Sequence, residues 1–192
     1  MGLNVKIDFK NVYRIIAKDA GQRVSEFDTI LLSSEKVRLG IRISHTPHPL
    51  ISNAYNLAFG PIKGNSSIDD KARLSYEDYS KVFSTVLLEA IFFLMEYPGI
   101  YVGIDGSDNA RAYMYYRCIQ NNFTYLSSIF TITGVNYYIR MLREGEDGNC
   151  DLDTGDMHTK YKEIEANEII DPKKLYNYFI FNLNPVNQLS KK

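Results

Sequence analysis

The stretch "DYSKVFSTVLLEAIFFLMEYPGIYVGIDGSDNARAYMYYRCI" (78–119) decides the fold. Tyr79, Val82, Phe83, Val86, Ala90 and Leu94 recur at helical spacing, and Pro98-Gly99 stops the pattern, which predicts a long helix over 76–96. Ser75 stands three residues before Asp78, the arrangement in which a serine oxygen caps free amides while a carboxylate reaches back. "IYVGI" (100–104) reads as a short buried strand, and a second helix is expected to start at Ser107 and run to 119.

Working outward, the first part of the chain reads as strands: "NVYRIIAK" (11–18), "EFDTILLS" (26–33), "KVRLGIRIS" (36–44) and "NAYNLAFG" (53–60). The third alternates cleanly, with Val37, Leu39, Ile41 and Ile43 on one face and Lys36, Arg38, Gly40 and Arg42 on the other. The polar break "SSEK" (33–36) makes 26–44 a hairpin. Downstream, "NNFTYLSSIF" (121–130) is expected to be a short helical piece, and strands are expected at 133–142 and 175–183. Between those strands, Glu144 to Asp171 carries ten acidic residues against Lys160 and Lys162, and is read as a solvated, partly mobile insertion. The sum is one α+β domain over 1–192: a curved, mostly antiparallel sheet packed on one side by the long helix and by one or two shorter ones.

Composition sets bounds on function. The 192 residues carry a net charge of -1, so nothing in the overall balance demands nucleic acid, an anionic membrane or a basic partner. The longest apolar run, "VLLEAIFFLM" (86–95), is interrupted by Glu89 and is shorter than the roughly 20 residues that span a bilayer. "MGLNVKIDFK" has no apolar signal core, and Lys6 stands where myristoylation wants Ser or Thr, so no membrane attachment and a cytoplasmic location are expected. Cys118 and Cys150 lack metal-ligand spacing and read as free thiols.

The residues that carry chemistry cluster at 105–117. A strand ending in Gly106-Ser107 and running into a helix turns free amides outward with the positive end of the dipole, a candidate anion site. Arg111 and Tyr115 follow on one helical stripe and would complete a pocket for phosphate or carboxylate, with Lys81 as a further contributor. Tyr113, Tyr116 and Arg117 face elsewhere, toward a partner surface. A purely structural reading stands beside this one: Ser107 as N-cap, Ala110, Met114 and Cys118 as a core stripe, and Arg111 as the partner of Asp69 or Asp70. Four arginines among the tyrosines of 107–143 keep a single-stranded nucleic-acid reading open.

"YNLAFG" (55–60), "IDD" (68–70) and the stretch 78–119 together resemble an uncharacterised domain family common in Bacteroidota, over roughly 25–142 and again weakly at 177–182. The matching positions are Tyr55, Asn56, Gly60, Lys81, Val82, Thr85, Tyr97, Pro98, Gly106, Ser107, Ala110, Arg111 and Tyr115. Ala112, Tyr113 and Met114 depart from the family pattern, one of them where a basic residue is usual, which weakens a polyanion reading. The resemblance implies a fold and no activity; proteins of this style suggest a toxin–antitoxin, immunity or phage-defence setting. The Gly-Ser turn also resembles that of minimal nucleotidyltransferases, but no paired carboxylates follow Arg111 to clamp two metal ions. His45 and His48 lack a completing ligand, and "DGNCDLDTGD" (147–156) misplaces the glycine and glutamate of a calcium loop. The sequence therefore points to a non-enzymatic binding module for a protein partner or small anionic ligand, with no metal or cofactor. A nucleotide- or RNA-binding protein is the alternative.

Overall fold

The computed structural model describes residues 4–64, 67–106, 108–141, 152–171 and 174–185. Its strands are β1 (Ile15–Lys18), β2 (Val24–Ile30), β3 (Lys36–Ile43), β4 (Ala54–Pro61), β5 (Tyr101–Asp105), β6 (Phe130–Met141), β7 (Leu152–Glu163) and β8 (Tyr178–Leu183). Helices α1 (Tyr79–Glu96), α2 (Asn109–Asn121) and α3 (Phe123–Ser127) complete the α+β fold. One eight-stranded sheet runs β1-β2-β3-β4-β5-β8-β6-β7, antiparallel throughout except between β4 and β5. That parallel pair needs a crossover, and α1 supplies it.

The alternation read in β3 sets the two faces. Leu39, Ile41 and Ile43 lie on the face that carries Leu57, Val102, Phe179 and Phe181, and these join Val82, Phe83, Val86, Ala90 and Leu94 of α1 in the main core. The opposite face holds a smaller cluster of Ile51, Ala54, Val135, Tyr178 and Ile180.

Several boundaries differ from expectation. Strand β1 starts at Ile15 rather than 11, because the chain before it is held by α1: Ser80 Oγ accepts from Lys6 N–H (2.9 Å), Ser84 Oγ from Asp8 N–H (2.9 Å), and Thr85 Oγ1 from Tyr13 N–H (2.8 Å). A polar stripe inside an otherwise apolar helix thus replaces strand pairing for the N-terminal segment. The cap of α1 is Asp78, whose carboxylate accepts from Lys81 N–H (2.8 Å), and Ser75 instead lends its carbonyl to Leu32 N–H. The helical piece after Asn121 stops at Ser127, since Phe130 already opens β6.

The acidic stretch 144–171 contributes β7, which pairs with β6 from Val135↔Tyr161 to Tyr138↔His158 and onward. Charge does not bar this strand: it lies at the end of the sheet, where Lys160 and Lys162 also discourage pairing with a further chain. Arg143 and Cys150 lie outside the described residues.

Candidate functional site

The crossover decides where a cleft forms. Chain leaving β4 folds back over the sheet so tightly that a Cβ at Gly60 would stand 2.2 Å from the carbonyl oxygen of Asp69. This brings Asp70, Arg73, Leu74 and Tyr76 opposite the first turns of α2, and a cleft of about 310 Å³ opens between them at the carboxyl end of β4. The cleft thus lies where the otherwise antiparallel sheet takes its parallel β4–β5 pair. Aromatic rings packed edge to face line it, Phe59 on Phe83 (5.6 Å between centroids) and Phe83 on Tyr115 (6.3 Å), and Tyr115 packs in turn on Phe179 of the core (6.3 Å).

Arg111 and Tyr115 stand together in this cleft, as the helical stripe predicts. The Arg111 side chain is 19% exposed, and its Nε lies 3.7 Å from a carboxylate oxygen of Asp108, too far for a hydrogen bond. The Tyr115 hydroxyl has no hydrogen-bond partner among the described residues, and burial pushes its pKa up to about 12, so it stays a neutral donor.

The helix start differs from expectation. Asp108, not Ser107, caps α2, and its carboxylate accepts from Arg111 N–H (2.8 Å). That hydrogen bond holds the Asp108 carboxyl below its usual pKa and places a negative charge where an anion was expected. Ser107 lies outside the described residues. Gly106 is buried, its N–H bonded to Asn177 carbonyl (2.9 Å), and a Cβ there would stand 2.9 Å from that of Ala112. Its small size admits α2, not a ligand. Lys81 is not at the cleft: its ammonium sits over the Tyr13 ring, 4.6 Å from the centroid.

The structural alternative also changes in detail. The core residues of α2 are Ala112, Tyr116, Cys118 and Ile119, while Ala110 is exposed and Met114 lies in the cleft wall. Tyr116 belongs inside, donating its hydroxyl to Glu168 carbonyl, whereas Tyr113 and Arg117 face solvent. Arg111 pairs loosely with Asp108 rather than with Asp69 or Asp70; Asp69 is bound to Lys63 (3.0 Å).

Arg111 and Tyr115 also border a smaller side branch of about 170 Å³, lined by Asn56 and by the solvent-exposed Asp70, Lys71 and Asp105. Loss of water raises the Asp105 pKa; His48 opposes the shift, Asp70 adds to it, and Arg111 and Lys71 oppose it. The Asn56 Oδ1 is buried without a hydrogen-bond partner. Nearby, His48 Nδ1 accepts from Leu50 N–H (3.2 Å), which places the ring proton on Nε2, 3.1 Å from Tyr137 Oη. Burial lowers the His48 pKa, favouring that neutral form.

A model of a family of unknown function, DUF6934, matches residues 10–146. The chain belongs to the DUF6934 family. No curated protein matches the chain, and no solved structure does. The DUF6934 match contains the stretch 25–142 on which a family resemblance was read, and with it Asn56, Asp70, Asp105, Arg111 and Tyr115. It stops short of β7 and β8, although β8 sits between β5 and β6, so the matched stretch does not complete the sheet of this DUF6934 member.

The residues that sequence reasoning missed as cleft groups are Asn56 and Asp105, while Asp70 was read only as a possible ion-pair partner of Arg111. Asp105 had a legible signal, standing at the carboxyl end of a strand before a helix. Asn56 had none, since only the crossover brings β4 and α2 to one space. Among the described residues of this DUF6934 chain, no three His, Cys, Asp or Glu side chains are grouped to hold a metal ion. No helix among them is long and apolar enough to cross a membrane.

Proposed function

We propose that the protein is a binding module whose cleft takes a small ligand with an apolar body and an anionic group. The aromatic wall of Phe59, Phe83 and Tyr115 receives the apolar part, while Arg111 and the Tyr115 hydroxyl receive the anion. The observation that carries this reading is the Arg111 guanidinium: it lies in the cleft wall, mostly withdrawn from water, with a contact of 3.7 Å to Asp108 as its ion pair among the described residues. A cation placed so is matched by an incoming carboxylate or phosphate monoanion. The capping carboxylate of Asp108 disfavours a polyphosphate at the same helix start, so a nucleotide or RNA ligand is the weaker reading. Recognition of a protein partner through exposed Tyr113 and Arg117, in a toxin–antitoxin, immunity or phage-defence setting, is compatible with a ligand in the cleft.

Calorimetric titration of the full chain with aromatic carboxylates, aromatic phosphates, mononucleotides and short single-stranded RNA tests the reading. The expected result is binding of the small aromatic anions that Arg111→Ala weakens by about ten- to a hundredfold, the worth of a charge-assisted hydrogen bond. Absence of binding at millimolar ligand, or equal affinity in Arg111→Ala, would overturn it. Selective binding of RNA would favour the alternative.

A further inference from the structure

The cleft holds more acceptors than an anion can use. The exposed Asp70 and Asp105 both open on the side branch, and Asn56 adds a buried Oδ1 that has no donor among the described residues. A purely anionic ligand filling that branch would meet two carboxylates, and a purely cationic one would meet Arg111 and Lys71. The main cleft repeats the mixture, with Asp70 and Asp108 set against Arg73 and Arg111 on an aromatic floor. Opposite charges attract and like charges repel across such a space, so a ligand with one charge of each sign meets a complementary partner for both.

Resting on the cleft reading above, we propose that the ligand is a zwitterion of the α-amino-acid type with an apolar side chain. Asp105, assisted by Asp70, takes its ammonium group in the side branch; Arg111 takes its carboxylate; and the side chain lies against Phe59 and Tyr115 in the main cleft. Arg111 and Tyr115 border both spaces, so the ligand's α-carbon sits at their junction. The raised pKa of the Asp105 carboxyl agrees with a site that lacks its cation.

Calorimetry on the full chain separates the possibilities, with L-phenylalanine and L-leucine as zwitterions, 3-phenylpropionate as the anion alone and 2-phenylethylamine as the cation alone. The expected result is binding of an amino acid at least tenfold tighter than of either single-charge analogue. Asp105→Asn should remove that preference while leaving the affinity for 3-phenylpropionate unchanged or higher, and its circular dichroism should match the parent chain. Should 3-phenylpropionate bind as tightly as the amino acid, the zwitterion is overturned and the anion reading survives. Failure of all these probes together with the anion panel removes both readings. Equal weakening of every probe by Asp105→Asn marks a structural role and also overturns the proposal.

Discussion

Replacing Asn122 with alanine should unpin the N-terminal segment from the helical layer. Asn122 ends α2, and its side chain accepts from Ile7 N–H (2.7 Å) and donates to the carbonyls of Val5 and Cys118 (2.8 Å each). Val5, Ile7 and Asn122 are all buried, so water does not replace the lost partners. A buried backbone group left unsatisfied costs about 1 kcal/mol or more, and three such bonds give a loss of about 3 kcal/mol. For a domain of this size that corresponds to a drop in Tm of roughly 6–12 °C. Urea denaturation followed by circular dichroism measures the difference, with Asn121→Ala, an exposed neighbour, as the control expected within about 0.5 kcal/mol. A loss below about 1 kcal/mol, or equal losses in both variants, would show that the segment before β1 is not held through this side chain.

Asp105→Asn should stabilise the free protein at neutral pH. The folded-state pKa of Asp105 is raised, so the folded chain binds its proton more tightly, and stability is lost as pH rises from the ordinary value of 3.8 through the folded one. Around this carboxyl stand His48, Asp70, Arg111 and Lys71, and thermal melts compared at pH 7 and at acid pH should show the gain shrinking as pH falls. Gly60→Ala should cost about 1–3 kcal/mol, because the added methyl meets backbone at Asp69 rather than a movable side chain, and it should weaken ligand binding by displacing Asp70; melting and calorimetry check each part. Cys118 should resist alkylation at pH 8 in the folded chain, since burial pushes its thiol up to about 12, and peptide mapping after iodoacetamide treatment with and without urea reads this directly.

The elements with a strong local pattern were legible in the sequence. Val37, Leu39, Ile41 and Ile43 alternate over a half-buried strand, and the apolar spacing from Tyr79 to Leu94 with Pro98-Gly99 behind it bounds α1, because these periods arise from backbone geometry alone. Arg111 and Tyr115 share a cleft for the same reason, being a turn apart on one helix. The caps were less legible: the carboxylates of Asp78 and Asp108, not the serines read as caps, accept from Lys81 and Arg111 N–H. Strand β7 was hidden because its side chains from Met157 to Glu163 are half-buried or exposed and so carry little apolar signal.

By itself, then, the sequence determined most of the helices and strands, the inward faces of α1 and β3, and that a guanidinium and a phenol stand together near the start of α2. Tertiary structure alone decided what faces them. The crossover from β4 through α1 to β5 lays Asp70 over the sheet, sets Asp105 beside it, turns Lys81 away toward Tyr13 and closes Gly106 against Ala112. Local periodicity reaches only a few residues along one element, whereas the charges that define this cleft come from segments joined by long-range packing.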